Sequence, residues 1–187
     1  TIFAPYFIIG AIHSGVSAVA CLMAGLLWLY KLDKYIKPDH FDAIGRLLVI
    51  VATIWLFTLF LEWIFALYPL EDPEIALRNM QVFQSPWNYL FILFLFTAYI
   101  IPVSAWLFKN IRRSAKWMFF TTILVNVGMW LERFLIIIPG LSRRTELSFN
   151  WGSYSPSLVE MGLVAFTFAF VICGILVFAR IFPIIPP

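Results

Sequence analysis

Residues 43–68 read AIGRLLVIVATIWLFTLFLEWIFALY, and only Arg46 and Glu62 in this stretch carry a charge. An α-helix rises about 1.5 Å per residue, so about 20 apolar residues cross the hydrocarbon core of a bilayer, which is about 30 Å thick. A stretch of this length and polarity is typical of a transmembrane helix. It is too long and too uniformly apolar for an ordinary helix of a soluble domain.

Four further stretches share this pattern and are separated by short polar breaks. The predicted helices are Pro5 to Tyr30, Ala43 to Tyr68, Pro86 to Phe108, Ala115 to Pro139 and Ser157 to Phe182. Of the 187 residues, 63% are hydrophobic and 12% are charged, which is far from the balance of a soluble domain. We therefore predict an all-α, polytopic membrane protein whose solvent is the lipid bilayer, with five transmembrane helices in one domain over residues 1–187.

The charge and the metal-ligating residues exclude several classes of function. The net charge is only +3 and the basic residues lie in short breaks, so we expect no nucleic-acid binding. Cys21 and Cys173 stand alone in separate apolar stretches, and His40 lies in a polar break, which leaves His13 as the only histidine inside a predicted helix. The ligand pairs of a haem or a cluster are missing. We predict that the chain binds no haem, iron–sulfur cluster or metal and supplies no catalytic residue of its own.

The positions of the basic residues predict the orientation of the helices. Most of them lie in or beside the first and third breaks, as Lys31, Lys34, Lys37, Arg46, Lys109, Arg112, Arg113 and Lys116. Cytoplasmic loops of membrane proteins are enriched in Lys and Arg. We therefore expect both breaks to face the cytoplasm, with the N-terminus of this segment outside and its C-terminus inside.

Aromatic residues near the predicted helix ends are typical of anchors at the level of the lipid headgroups. They are Tyr6, Trp28, Tyr30, Tyr68, Trp87, Tyr89, Trp106 and Trp117. In the third helix, Pro102 cannot donate a backbone hydrogen bond to the carbonyl of Ala98. We predict a kink there, with Thr97 or a neighbouring helix contacting the freed group.

Ionisable residues inside the predicted helices are the strongest indication of function. A charge near the bilayer centre costs roughly 2.5–3.5 kcal/mol, so each one needs a partner or a purpose. These residues are Glu62, Glu132, Arg133 and Glu160, with His13 at a similar depth. Asn126 lies on the same predicted helix face as Thr122, Met129 and Arg133. We predict that His13, Glu62, Asn126, Glu132, Arg133 and Glu160 line one polar cavity or proton path in the outer part of the membrane. The alternative is an ion pair between Arg133 and a glutamate that only stabilises the bundle.

Four sequence strings resemble one known family of membrane proteins. They are TIFAPYF at 1–7, GAIHSG at 10–15, NVGMWLERF at 126–134 and YSPSLVE at 154–160. The chain resembles the NrfD/PsrC-like integral membrane subunits, most closely the C subunit of bacterial alternative complex III. The resemblance implies that residues 1–187 form the second four-helix bundle and one additional helix of a subunit about twice this length. It implies roles for Glu132, Arg133 and Glu160, although an aspartate is expected at the last position.

The same resemblance implies a function and partners. The chain is expected to be a subunit of a quinol-oxidising complex in the bacterial cytoplasmic membrane, using quinone or menaquinone at a site mostly outside this segment. Expected partners are an extracytoplasmic iron–sulfur subunit, c-type haem subunits and a second NrfD-like membrane subunit. It would contribute to quinol binding and to proton translocation, without being catalytic alone.

Two other function classes also fit a helix bundle of this kind. A secondary transporter or ion channel would need the same intramembrane charges, although the inverted repeats and broken helix pairs of transporters are not evident. A plain membrane anchor for a peripheral redox subunit would need no polar path. A test of quinol-dependent electron transfer by the purified assembly would separate a subunit of a quinol-oxidising complex from these two alternatives.

Overall fold

A computed structural model describes residues 2–141 and 156–182, and every regular element in these two ranges is helical. Within these two ranges, five helical segments are long and apolar enough to span a membrane, which confirms the all-α, polytopic prediction. They are Phe3–Tyr30, Pro38–Leu67, Trp87–Trp106, Ala115–Gly140 and Leu158–Phe178. The chain divides into two compact units, residues 1–150 and residues 151–187, which are described separately.

The first unit is a bundle built from four of the spanning segments. Its helices are α1 (Phe3–Tyr30), α2 (Pro38–Leu67), α3 (Asp72–Phe83), α4 (Trp87–Leu95), α5 (Ile101–Trp106), α6 (Lys109–Arg112) and α7 (Ala115–Leu141). A π-helical turn, Phe96–Ile100, joins α4 to α5, so that the two helices and the turn form one spanning segment. Helix α1 packs against α2 and α7, and α7 packs against α4 and the π turn. Buried Trp55, Phe94 and Met129 lie between these helices, while apolar side chains such as Phe60 point outwards, as lipid contact requires.

Helix α2 begins at Pro38, earlier than the predicted start at Ala43. Proline at the first helical position has no backbone N–H to satisfy and its φ is preset for a helix. The backbone N–H of Lys37 donates to Nδ1 of His40 at 3.0 Å, which caps the first turn. His40 therefore lies inside the helix rather than in the polar break where its position in the sequence placed it.

Helix α3 lies in a segment that the sequence analysis treated as a simple polar break. Its first turn carries Asp72, Pro73 and Glu74, which are residues that favour a helix start. The helix is too short and too polar to span a membrane, so a search for apolar stretches does not find it. It brings Arg78 and Gln81 against the bundle, and both side chains belong to the candidate site described below.

The predicted kink at Pro102 takes the form of the π turn. The backbone N–H of Ile101 donates to the carbonyl of Phe96, five residues back, which widens the helix immediately before Pro102. Helix α7 approaches this turn backbone to backbone, because a Cβ on Gly128 would lie 2.5 Å from the nitrogen of Ala98. Glycine at position 128 is thus required by the close approach of the two segments.

The second unit contributes α8 (Leu158–Ile181). Ser157 caps this helix, since its hydroxyl accepts a hydrogen bond from the backbone N–H of Glu160 at 3.3 Å. In return, the carboxylate of Glu160 accepts one from the backbone N–H of Ser157 at 2.8 Å. This reciprocal pair forms a capping box at the start of α8.

Candidate functional site

The buried carboxylate of Glu132 is the centre of the candidate site. Glu132 lies on α7 with 2% of its surface exposed. Its Oε1 accepts hydrogen bonds from the hydroxyl of Tyr6 on α1 and, at 3.2 Å, from the indole Nε1 of Trp55 on α2. Three helices therefore meet at one carboxylate oxygen.

The second oxygen of the same carboxylate is much less well satisfied. Oε2 of Glu132 is buried, and within the described ranges it has no hydrogen-bond partner. The nearest cationic group is Nη2 of Arg133, at 3.6 Å, which is an ion pair but too long for a hydrogen bond. Neighbouring positions on a helix point about 100° apart, since one turn takes 3.6 residues, so the two side chains leave α7 in different directions.

The guanidinium of Arg133 is held mainly by aromatic rings. It lies 3.7 Å above the ring of Phe7, which is a cation–π contact. A Cβ on Gly10 would lie 2.6 Å from Nη2, so the absence of a side chain at Gly10 makes room for the guanidinium. Nη1 of Arg133 is buried without a hydrogen-bond partner among the described residues. The ion-pair alternative of the sequence analysis therefore accounts for only part of this geometry.

His13 connects the cluster to the π turn. It is fully buried on α1 and stacks on Trp55 with 5.9 Å between ring centroids. Its Nε2 lies 3.4 Å from the carbonyl oxygen of Ala98, the group that Pro102 leaves without its helical donor. A neighbouring helix thus contacts the freed carbonyl, as predicted, whereas Thr97 donates to the carbonyl of Leu93 instead. Since a carbonyl only accepts, Nε2 is the donor in this contact.

Asn126, on α7, is a further predicted site residue whose side chain makes hydrogen bonds inside the bundle. Its side-chain amide donates to the hydroxyl of Ser17 at 3.0 Å and to the carbonyl of Thr122 at 2.8 Å. Ser17 and Thr122 are both fully buried. The predicted polar face of α7 therefore points into the bundle and meets polar groups of α1.

Glu62 has a partner that the sequence analysis did not assign to it. Nη2 of Arg78, on α3, donates to the carboxylate of Glu62, and the guanidinium of Arg78 lies 4.8 Å from the ring centroid of Trp63. Gln81 continues this contact, because its amide donates to the carbonyl of Leu135 at 2.9 Å. Helix α3 is thereby attached to α2 and to α7.

Two cavities in the first unit adjoin these residues. A small one, about 20 Å³ in volume, is lined by Tyr6, Leu59, Glu62, Trp63, Arg78, Gln81, Phe91, Phe94, Glu132, Leu135 and Ile136. A larger one, about 650 Å³, shares four of these residues and extends outwards to Phe3, Glu71 and Glu74. The shared residues are Glu62, Arg78, Gln81 and Ile136. Glu62 and Glu132 thus border one small cavity, and Glu62 also faces a much larger one.

The six predicted site residues are distributed over both units. Five of them lie in the bundle: Glu132 and Arg133 are an ion pair, and His13 stacks on a tryptophan that contacts Glu132. Glu160 lies in the second unit, at the capped start of α8. Its predicted membership of the same polar cavity stays a prediction.

Sequence reasoning missed four residues of this site: Tyr6, Trp55, Arg78 and Gln81. Tyr6 was assigned to headgroup anchoring, as was Trp106, yet Tyr6 is 1% and Trp106 0% exposed. Their polar atoms bond to Glu132 and to Thr121 inside the bundle. Trp55 carried a usable signal, because a tryptophan in the middle of an apolar stretch is far from either headgroup layer.

The fold and the site define the chain as a polytopic helical membrane protein with ionisable groups enclosed in its bundle. The family model of polysulphide reductase, NrfD, matches residues 1–143. The chain belongs to the NrfD family, whose members are membrane subunits of redox enzyme complexes. No curated protein shows significant similarity to it. Among the described residues, no group of three His, Cys, Asp or Glu side chains is arranged to hold a metal ion.

Proposed function

We propose that the chain is a membrane subunit of a quinol-oxidising electron-transfer complex, and that its helix bundle conducts protons. Quinol would be oxidised at a site mostly outside residues 1–187. Its electrons would pass to an extracytoplasmic iron–sulfur subunit and then to c-type haem subunits, beside a second NrfD-like membrane subunit. Membership of the NrfD family supports the redox role, since the family supplies membrane subunits to such enzymes. The complex would be of the alternative complex III type and lie in a bacterial cytoplasmic membrane.

The observation that carries the proton-conducting role is the environment of Glu132. A carboxyl group that only stabilises a bundle is expected to have both oxygens bonded or a cation in direct contact. Here one oxygen accepts two hydrogen bonds, while the other is buried and has no hydrogen-bond partner in the described part of the chain. Glu132 also lines a small cavity. A buried acid in this state is able to change its protonation without breaking a hydrogen bond to Arg133, whose Nη2 lies 3.6 Å from Oε2.

The polar groups on either side of Glu132 suggest a route for protons along the bundle. Asn126 and Ser17 lie towards the end of α7 that we predict to face the cytoplasm, and His13 lies between them and Glu132 along the bundle. Glu62 and Arg78 lie on the opposite side, next to the larger cavity. Protons would travel from Asn126 past His13 to Glu132 and leave past Glu62.

Quinol-dependent reduction of the c-type haems in the purified assembly tests the redox role. We expect reduction on addition of a menaquinol analogue to an assembly that contains the chain, and no reduction after the chain is removed. If the assembly without the chain reduces its haems as well as the assembly that contains it, the chain is a plain anchor. Solute flux that is independent of quinol would favour a transporter or channel.

A further inference from the structure

The small cavity beside Glu132 has the volume and the polar lining of a site for one water molecule. A cavity needs a volume of about 10–15 Å³ to hold a water, and a buried water typically makes about three hydrogen bonds. This cavity offers about 20 Å³ by the same measure. It is therefore large enough for one water molecule.

Two buried polar atoms belong to residues that line this cavity. Oε2 of Glu132 and Nε of Arg78 are each buried without a hydrogen-bond partner among the described residues. The first is an acceptor or, when protonated, a donor, and the second is an obligatory donor. Ordered waters in proteins satisfy buried donors and acceptors that lack a protein partner. Glu132 and Arg78, which carry one such atom each, both line this cavity.

We propose that a single water molecule binds in this cavity, between Glu132 and the pair Glu62–Arg78, and relays protons from Glu132 to Glu62. In the step, the carboxylic acid of Glu132 gives its proton to the water, and the water gives another of its protons to the carboxylate of Glu62. Water is regenerated, Glu132 becomes the carboxylate and Glu62 the acid. The relay rests on the proposed proton-conducting function, whereas the water site does not.

The position of α3 gives this water an additional role. Arg78 and Gln81 line both this cavity and the larger one, and the amide of Gln81 donates to the carbonyl of Leu135. Glu62 borders both this cavity and the larger one. A water in the small cavity would thus lie between the buried carboxylate of Glu132 and the larger cavity, which α3 also lines.

A cavity-filling variant tests the water site without removing any polar group. Leu59, on α2, lines the cavity and is 9% exposed, so Leu59→Phe places additional ring atoms where the water would lie. Leu47→Phe is the matched control, because Leu47 lies on the same helix and is 46% exposed on the outside of the bundle. Ile136→Phe is a second cavity-filling variant in case Leu59→Phe fails to assemble.

The measurement is a cryo-electron-microscopy map of the intact assembly that resolves waters, combined with proton release in proteoliposomes. We expect density about 2.7–3.2 Å from both Glu132 Oε2 and Arg78 Nε in the wild type and in Leu47→Phe, and none in Leu59→Phe. Proton release in Leu59→Phe should fall by about tenfold or more, as expected on loss of a proton-transfer step. A wild-type map with no density in the cavity would contradict the proposed water site. Loss of the density with unchanged proton release would overturn the relay.

The failure of this inference is distinguishable from failure of the proposed function. If Glu132→Gln impairs proton release and Leu59→Phe does not, protons use Glu132 but not this water. If Glu132→Gln releases protons normally, the proton-conducting role itself is wrong, whatever the map shows in the cavity.

Discussion

The hydroxyl of Tyr6 donates a hydrogen bond to the carboxylate of Glu132, a residue 126 positions later in the chain. The indole of Trp55 donates to the same oxygen, so the first, second and last helices of the bundle share one buried acceptor. This arrangement fixes Oε1 and leaves Oε2 facing the cationic end of Arg133 at 3.6 Å. Oε1 is thus held by two hydrogen bonds, whereas Oε2 has, among the described residues, only a long ion pair, and this difference sets what we expect of the site.

Removal of the Tyr6 hydroxyl should destabilise the bundle. Tyr6→Phe keeps the ring but takes one donor from a buried carboxylate, and an unsatisfied buried acceptor costs roughly 1–3 kcal/mol. We expect a lower midpoint of thermal unfolding for the detergent-solubilised protein. The control is Tyr30→Phe, because Tyr30 is 65% exposed, and its midpoint should match the wild type. Equal midpoints for the two variants would contradict the hydrogen bond.

A methyl group at Gly128 should disrupt the contact between α7 and the π turn. In Gly128→Ala the new Cβ would lie 2.7 Å from the Cα of Ala98, and a backbone atom cannot move aside as the end of a flexible side chain can. Overpacking of this kind costs about 1–3 kcal/mol. Gly15→Ala meets nothing within 4 Å on α1 and should leave stability unchanged or slightly higher. The two melting curves measured side by side check the prediction, and a Gly128→Ala protein as stable as Gly15→Ala would refute it.

Arg112 should matter far more for stability than its neighbour Arg113. The guanidinium of Arg112 donates to the buried carboxylate of Asp42 at 2.8 Å and to the carbonyl of Trp106 at 2.6 Å. Arg113 forms an exposed pair with Asp39, and exposed pairs contribute little. Arg112→Leu should therefore lower the thermal midpoint clearly, and Arg113→Leu should barely change it. If Arg113→Leu lowered the thermal midpoint more than Arg112→Leu, Arg112 would not be the more important of the two residues for stability.

The same ion pairs bear on the orientation of the bundle. Contacts of Arg112 and Arg113 with the start of α2 bring the first and third connections to one end of the bundle. The variants Lys34→Cys and Asn110→Cys should therefore react with a membrane-impermeant thiol reagent added on the cytoplasmic side. Glu74→Cys should react only when the reagent is added on the other side. The parent protein, with Cys21 and Cys173 replaced by serine, measures background labelling. Labelling of Lys34→Cys and Glu74→Cys from one side would disprove the predicted topology.

The spanning segments could be predicted from the sequence because length and hydropathy alone determine them. The start of α2 could not, since it depends on Pro38 and on the side chain of His40 acting as a cap. Helix α3 was missed because it is short and amphipathic, so that it lacks the apolar length that identifies a spanning helix. The π turn depends on the close approach of Gly128, which only the packed structure reveals.

The candidate site could be predicted only at its centre. Glu132 and Arg133 are conspicuous as charges in an apolar stretch, and their positions follow from helix spacing. Their partners Tyr6 and Trp55 come from other helices and are ordinary residues in a membrane protein, so the sequence alone does not pair them with a carboxylate. Arg78 was assigned to a loop, and its contact with Glu62 requires the fold of α3.

Proton release per electron, measured in proteoliposomes that contain the intact assembly, is the most direct test of the account. Glu132→Gln retains the size and hydrogen-bonding capacity of the side chain but cannot titrate, so the complex should assemble while proton release or turnover falls by about tenfold or more. Asp72→Asn removes an exposed carboxylate from α3 and should behave as the wild type. An assembled Glu132→Gln complex with normal turnover and normal proton release would contradict the account and leave Glu132 with a purely structural role.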